Sequence, residues 1–253
     1  MAHPDADPNT GTLYGALHSI VAARRSIRRF LPDPLPRDLI EQVLEVARLS
    51  PSAANSQPWE FLVVTDAQTR RRIARASASV FPDARKKDPS FEWNISVQPF
   101  LYQAPVLIIV LGDKRMLAAY PSVLRGNVLL RQSLAICTYG LQLAAASLGL
   151  GSAWGTLQGG PGEAEIRDLL RIPDQYTIDH IVPLGYADVK EGERASALRA
   201  ARERGQQRRP LKDIVHWEEF EVVKARSDEE VEQFIWSETV TRVERCPSRP
   251  ETS

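Results

Sequence analysis

Arg24, Arg25, Ser26, Arg28 and Arg29 fall within the seven residues Arg24-Arg25-Ser26-Ile27-Arg28-Arg29-Phe30 and carry the most concentrated chemistry in the chain. Guanidinium groups offer planar pairs of donors that match phosphate oxygens, and a hydroxyl among them can donate once more to the same group. Such a cluster either binds an anion or is a solvated basic face, because short basic runs are weak signals by themselves. A second stretch favours the anion. Ser50-Pro51-Ser52-Ala53-Ala54-Asn55-Ser56-Gln57-Pro58-Trp59 is a run of small and amide side chains that leads into the apolar Phe61-Leu62-Val63-Val64. Small residues let the backbone approach a flat ring closely, while Asn55 and Gln57 each carry a donor and an acceptor for the polar edge of a heterocycle.

The rest of the chain offers no competing chemistry. His3, His18, His180 and His216 are scattered, no Ser-His-Asp spacing stands out, and no pair of carboxylates flanks a recognisable loop. Gly149-Leu150-Gly151 and Gly159-Gly160 lack the third glycine and following acid of a dinucleotide fingerprint. A phosphate clamp and a ring cradle without acids, bases or nucleophiles imply that a bound redox cofactor carries the reaction.

The two stretches, RRSIRRF and SPSAANSQPWEF, at their mutual spacing, resemble the signature of the nitroreductase family of flavin mononucleotide (FMN) enzymes. The likeness continues to Arg208-Arg209-Pro210-Leu211-Lys212-Asp213-Ile214 and covers residues 13–216. It implies an α+β fold with a mixed central sheet flanked by helices, in a homodimer of domain-swapped style. It further implies that Arg24, Arg25, Ser26 and Arg28 bind the phosphate and ribityl chain, with Arg208 closing the phosphate site. Ser52 and Ala53 would reach the flavin of the partner subunit, Asn55 and Gln57 would face the isoalloxazine edge, and Ala153, Trp154 and Gly155 would run beside its reactive face. Pro51 and Trp59 read as packing residues and Arg29 as a surface residue. Trp154 departs from the pattern, either stacking on substrate or filling core.

Composition bounds the same reading. The 253 residues, 43% of them hydrophobic, suffice for one large domain. Lys plus Arg equals Asp plus Glu at 32 each, so no basic excess points to nucleic acid or a membrane surface. The sign of the charge varies along the chain, basic over 70–87 and 194–212 and acidic over 218–238. Cys137 and Cys246 make neither a disulfide framework nor a metal spacing. With Asp5 and Asp7 in a leader lacking a continuous apolar block, the expected home is a reducing cytoplasm. The longest apolar span, Val128 to Leu150, is interrupted by Arg131, Gln132, Ser133, Gln142 and Ser147, and reads as a buried helix rather than a membrane span.

The elements that must position these residues follow in order. Residues 1–12 form a loose leader. A helix from about Leu13, with Leu13, Leu17, Ile20 and Val21 at helical spacing, delivers the arginines at its end. Pro32, Pro34 and Pro36 force an extended linker to a helix from about Arg37. Glu60 to Thr65 is a predicted strand, Ala67 to Ala78 a helix opened by Asp66, Val106 to Leu111 a strand buried on both faces, and Val123 to Leu148 a long central helix. Ser152 to Thr156 is a further strand, Glu163 to Leu170 a helix, and Tyr176 to Tyr186 the last strand. Residues 79–103 mix Phe81, Phe91, Trp93, Phe100 and Tyr102 with prolines and are expected to form a lid, or else to cover a core edge. The tail, 217–253, carries Val231, Phe234 and Ile235 at helical spacing and is expected to pack on the partner subunit.

Through the family resemblance, the expected activity is transfer of hydride from NADH or NADPH, by way of FMN, to an electron-poor small molecule such as a nitroaromatic or quinone. Enoate reduction, flavin fragmentation and reductive dehalogenation are known on the same fold. Ser26 stands where fragmentation would call for an acid, and the lid lacks a clear Glu-Tyr-Lys set for an iodotyrosine zwitterion. A non-catalytic flavin-binding protein is the alternative outside enzymology.

Overall fold

The computed structural model describes residues 10–78, 99–120, 126–157, 160–188 and 208–231. They belong to two compact units, the first containing the described residues up to Asp188 and the second those from Arg208 onward.

In the first unit, helix α1 (Thr10–Ala23) ends where the arginines begin. Leu13 and Leu17, part of its apolar pattern, are more than half exposed, as is Tyr14. Helix α2 (Arg37–Arg48) starts behind Pro36 and buries Ile40, Val43 and Ala47 at spacings of three and four. Strand β1 (Trp59–Val64) leads to α3 (Ala67–Ala78), whose entry is capped by Asp66: its carboxylate accepts from the Thr69 N–H at 2.7 Å. That bond draws the Asp66 carboxyl below its ordinary range. The short helix α4 (Pro99–Gln103) buries Phe100 and Leu101, so this end of the expected lid belongs to the core. The remainder of that segment, 79–98, lies outside the described residues.

Strand β2 (Val106–Asp113) is buried along its whole length, as its unbroken apolar run requires. Helix α5 (Gly126–Ser147) follows and buries Leu130, Leu134, Cys137, Leu141 and Ala145. Burial pushes the Cys137 thiol up to about 12, which makes it a packing group at neutral pH rather than a nucleophile. The chain then forms β3 (Gly151–Ser152), β4 (Gly155–Thr156), α6 (Pro161–Leu170) and β5 (Tyr176–Gly185). Among the described residues no helix is long and apolar enough to cross a membrane.

The sheet runs β1-β2-β5-β3, with β4 also on β5, and all its ladders are antiparallel. A parallel element enters through an isolated bridge between Ser26 and Ser152. Because strand side chains alternate, β2 serves two cores. Val106, Ile108 and Val110 join α2 and α5 on one face; Leu107, Ile109 and Leu111 join α3, α4 and α6 on the other.

Two irregularities in this sheet matter for the site. The single strand expected over Ser152 to Thr156 is broken at Ala153 and Trp154, although its register on β5 continues across the break. Opposite the break stands Pro183, which has no N–H to give to a ladder. The second irregularity is a bulge in β5: Val110 pairs with His180 but Leu111 with Ile178, leaving Asp179 as the extra residue.

The second unit is held by long side chains that satisfy its own carbonyls. Arg209 donates to Asp213 O at 2.6 Å and Lys224 O at 3.1 Å, Lys224 donates to Val215 O at 2.9 Å, and His216 stacks on Phe220 at 4.3 Å. Ser227 and Glu230 form a reciprocal capping box, with bonds of 2.9 and 3.2 Å, that opens the helical residues 228–231. Phe234 and Ile235 of the expected tail helix lie outside the described residues.

Strand β2 is closed at its end by Asp113, whose carboxylate accepts from Arg115 through the backbone N–H at 2.9 Å, Nε at 2.9 Å and Nη2 at 2.6 Å. The Arg115 guanidinium bonds draw the Asp113 carboxyl below its ordinary range. A depressed folded-state pKa gives stability that is present above the unfolded value, about 4, and is lost as pH falls through the folded value. Asp113→Asn should therefore cost up to about 1 kcal/mol near neutrality, because the Arg115 guanidinium is exposed and screened by solvent. The gap from the unsubstituted protein should close on acidification; urea denaturation across the acid range measures both.

Candidate functional site

The basic segment is laced to the sheet by its backbone. Past the end of α1, Arg25 Nη1 donates to the carbonyls of Ala22 at 2.6 Å and Arg24 at 2.7 Å, covering acceptors the helix leaves open. The chain then extends. Ile27 N–H donates to Ser152 O at 2.8 Å, Leu31 N–H to Tyr186 O at 2.9 Å, and Asp188 N–H to Arg29 O at 3.0 Å. Two glycines permit the close approach: a Cβ on Gly151 would lie 2.8 Å from Ile27 Cγ2, and one on Gly185 would lie 2.6 Å from Pro105 Cδ and 3.1 Å from Phe30 Cδ1.

This lacing sorts the segment's side chains. Phe30 is buried in the second core and Ile27 packs partly against it, while Ser26 and Arg28 are exposed and Arg24 is half-buried. Arg25 and Arg29 are engaged by neighbouring groups. The guanidinium groups of Arg24 and Arg28 have no hydrogen-bond or ion-pair partner among the described residues. Two such cations flanking an exposed hydroxyl on a fixed edge are arranged to receive an anion.

The small-residue loop is strained and firmly held. Ala54, Asn55 and Gln57 have φ of 52°, 49° and 43°, so three non-glycine residues out of four are left-handed. Each such conformation costs on the order of 1–3 kcal/mol and persists only where surrounding bonds impose it. Here Ala53 N–H donates to Ser133 Oγ on α5 at 3.1 Å, and Ser133 Oγ donates to Leu129 O at 2.8 Å. Gln57 N–H donates to Ser52 Oγ at 2.9 Å, the hydroxyls of Ser56 and Tyr120 share a bond of 2.9 Å, and Asp113 N–H donates to Pro58 O at 2.8 Å. The outcome is a rigid loop with the Asn55 and Gln57 amides exposed above buried Pro58 and Trp59.

The third expected stretch adjoins the first. The Ser26–Ser152 bridge sets the basic segment beside Ala153, Trp154 and Gly155. Ala153 is buried in the second core, Gly155 pairs with Ile181, and the half-buried Trp154 ring meets His180 edge to face at 4.0 Å. The loop packs on the first core through Ala53, and Trp154 faces that same side of the sheet, since register sets it opposite Val182 of that core. The chain thus brings Arg24, Arg25, Ser26 and Arg28 together with 153–155, while Ser52, Ala53, Asn55 and Gln57 belong to the loop bonded to α5. Arg208 lies in the second unit.

Sequence reasoning missed Ser133, Tyr120 and the Asp179–His180 pair. Ser133 was read only as an interruption of an apolar span, and nothing in the sequence ties it to a loop 80 residues away. Asp-His in the middle of an otherwise apolar strand was the one visible signal for the pair.

If bonds to α5 impose the loop's strain, relieving it should be stabilising. Ala54→Gly, ordinarily a destabilising change, should raise stability by about 0.4–1 kcal/mol because glycine accepts positive φ without cost. Ser133→Ala should lower it by about 1–3 kcal/mol, the penalty for an unsatisfied buried N–H. Denaturant unfolding of both variants measures the contrast.

Comparison with known proteins places this geometry in a family. An iodotyrosine deiodinase of Thermotoga neapolitana is 30% identical over 182 residues, covering 68% of this chain and 89% of its own. A solved FMN-dependent nitroreductase from Clostridium difficile R20291 superposes with a TM-score of 0.56 at 23% identity, covering 80% of this chain and 99% of its own. A structure of oxidized iodotyrosine deiodinase bound to FMN and 3-iodo-L-tyrosine superposes with a TM-score of 0.58 at 25% identity, covering 81% of this chain and all of its own. The model of the nitroreductase family matches residues 21–186, which span the basic segment, the strained loop and the broken strand, and the chain belongs to that family.

Proposed function

We propose that this protein is a homodimeric FMN oxidoreductase that accepts hydride from NADH or NADPH and delivers it to an electron-poor small molecule such as a nitroaromatic or quinone. The observation that carries the reading is the pair of guanidinium groups, Arg24 and Arg28, without a partner among the described residues, around exposed Ser26 on a segment bonded directly to the 151–155 strand. Their donors suit a phosphate monoester, and the exposed Asn55 and Gln57 amides with the small residues around them suit the edge of a flat heterocycle. The residues present therefore fit FMN. In this reading Arg24, Ser26 and Arg28 grip the phosphate, and Arg25 holds the helix end from which they emerge.

Bound FMN supplies two-electron redox chemistry that no side chain here can perform. The protein's part is to bind and orient. Ala153, Trp154 and Gly155 line the reactive face, and the donor and then the acceptor occupy one position against it in ping-pong order, so that proximity is provided for both. The family likeness supports a site completed by Ser52 and Ala53 of the partner subunit, with the tail, 217–253, assigned to the same interface. The neutral charge balance and a buried, unreactive Cys137 fit a cytoplasmic enzyme.

Reductive dehalogenation is the second reading, favoured by the deiodinase relatives. Turnover with 3-iodotyrosine, compared with turnover of a quinone by the same reduced protein, separates the two. The clamp itself is tested by Arg28→Ala and Arg24→Ala, each of which should weaken FMN binding by about 1.5–3 kcal/mol while the cofactor-free protein stays folded. Quenching of FMN fluorescence gives the dissociation constants, and unchanged affinity in both variants would remove the clamp.

A further inference from the structure

Trp154 sits at a point where the sheet gives its backbone no ladder. The strand is broken at Ala153 and Trp154, and Pro183 opposite has no N–H. Buried Ala153 and the Gly155–Ile181 pair anchor the ends of this short stretch, which leaves Trp154 and what it touches to set its middle. Register across the break puts Trp154 opposite Val182, so His180 is its diagonal neighbour on the same face of the sheet, within reach of an aromatic ring. The two rings meet edge to face, with centroids 4.0 Å apart and planes at 75°.

His180 is in turn held by the bulge. In a regular strand residues 179 and 180 would point to opposite faces. With Asp179 as the extra residue, its carboxylate turns back toward its neighbour, and Oδ2 lies 2.9 Å from His180 Nδ1. Thr138 Oγ1 of α5 lies 3.4 Å from the same nitrogen. His180 is only 7% exposed, and burying an imidazole and a carboxylate is costly unless they satisfy each other. An apolar residue would fill this place at less cost, so packing alone does not account for the pair. A ring fixed in one orientation by a bond at Nδ1 does.

Resting on the FMN reading above, we propose that Asp179 and His180 are positioning residues: they set the plane of Trp154, and through it the backbone of Ala153–Gly155 against the flavin ring. Neither touches the reacting atoms. Their effect is on how tightly the ring is held and on the relative stability of its oxidised and reduced forms.

Two substitutions split the device. His180→Asn keeps a donor toward Asp179 but removes the ring edge from Trp154; His180→Phe keeps a ring and removes the donor. Both should weaken FMN binding by about tenfold and shift the midpoint potential of the bound flavin in the same direction. Asp179→Ala should add little to either loss when combined with His180→Phe, since residues acting through one another are non-additive. The cofactor-free protein gives an independent readout: the indole N–H resonance of Trp154, assigned by its disappearance in Trp154→Phe, should move or broaden in both His180 variants and in the conservative Asp179→Asn. Unchanged affinity and potential, additive losses, or an indole resonance that stays in place would each overturn the proposal. If the unsubstituted protein binds no FMN, the functional reading fails on its own, and the indole resonance still decides whether the pair positions Trp154.

Discussion

The bond from Ile27 N–H to Ser152 O, 2.8 Å long, is the contact on which the site depends. It converts a run of arginines at the end of a helix, which would otherwise be a frayed and solvated terminus, into an edge of the sheet with fixed side-chain directions. Its formation requires Gly151, because any larger residue there would collide with Ile27. Its extension to Leu31 and Tyr186 requires Gly185 for the same reason. Long cationic side chains lose much rotamer entropy on binding, and mounting them on a rigid edge reduces what remains to be lost.

The second half of the site uses the opposite strategy. The loop from Ser52 to Pro58 has no ladder and instead stores strain at Ala54, Asn55 and Gln57, held down by Ser133, Tyr120 and the end of β2. A segment held this way is pre-organised, presenting the two amides without an ordering cost at the moment of binding. Asp113 links the halves of this support, since its side chain closes β2 and its N–H holds Pro58.

Much of this was legible in the sequence, and the exceptions have physical causes. The apolar run of β2, the three- and four-residue spacing in α2 and the Asp66 cap are local signals, and the structure follows them closely. The break at Ala153 and Trp154 was read as continuous strand because its meaning lies in Pro183, about thirty residues on, and only pairing brings the two together. The bulge at Asp179 likewise has no local signature, being a register shift between two strands. The arginines and the amide loop are recognisable by residue type, but not that Arg25 is occupied by the carbonyls of Ala22 and Arg24 while Arg24 and Arg28 have no side-chain partner among the described residues. The spacing of Leu13 and Leu17 marks α1 as a helix, and among the described residues nothing covers these two side chains.

The central claim is that this arrangement holds a flavin that exchanges electrons with a nicotinamide. Anaerobic titration of the FMN-reconstituted protein with NADH and with NADPH, followed by absorbance, tests it most directly. The account predicts one bound FMN per chain and loss of the yellow oxidised bands after one equivalent of at least one nicotinamide, with their return on adding a quinone. A protein that takes up no FMN, or whose bound FMN stays oxidised with both nicotinamides, would contradict it.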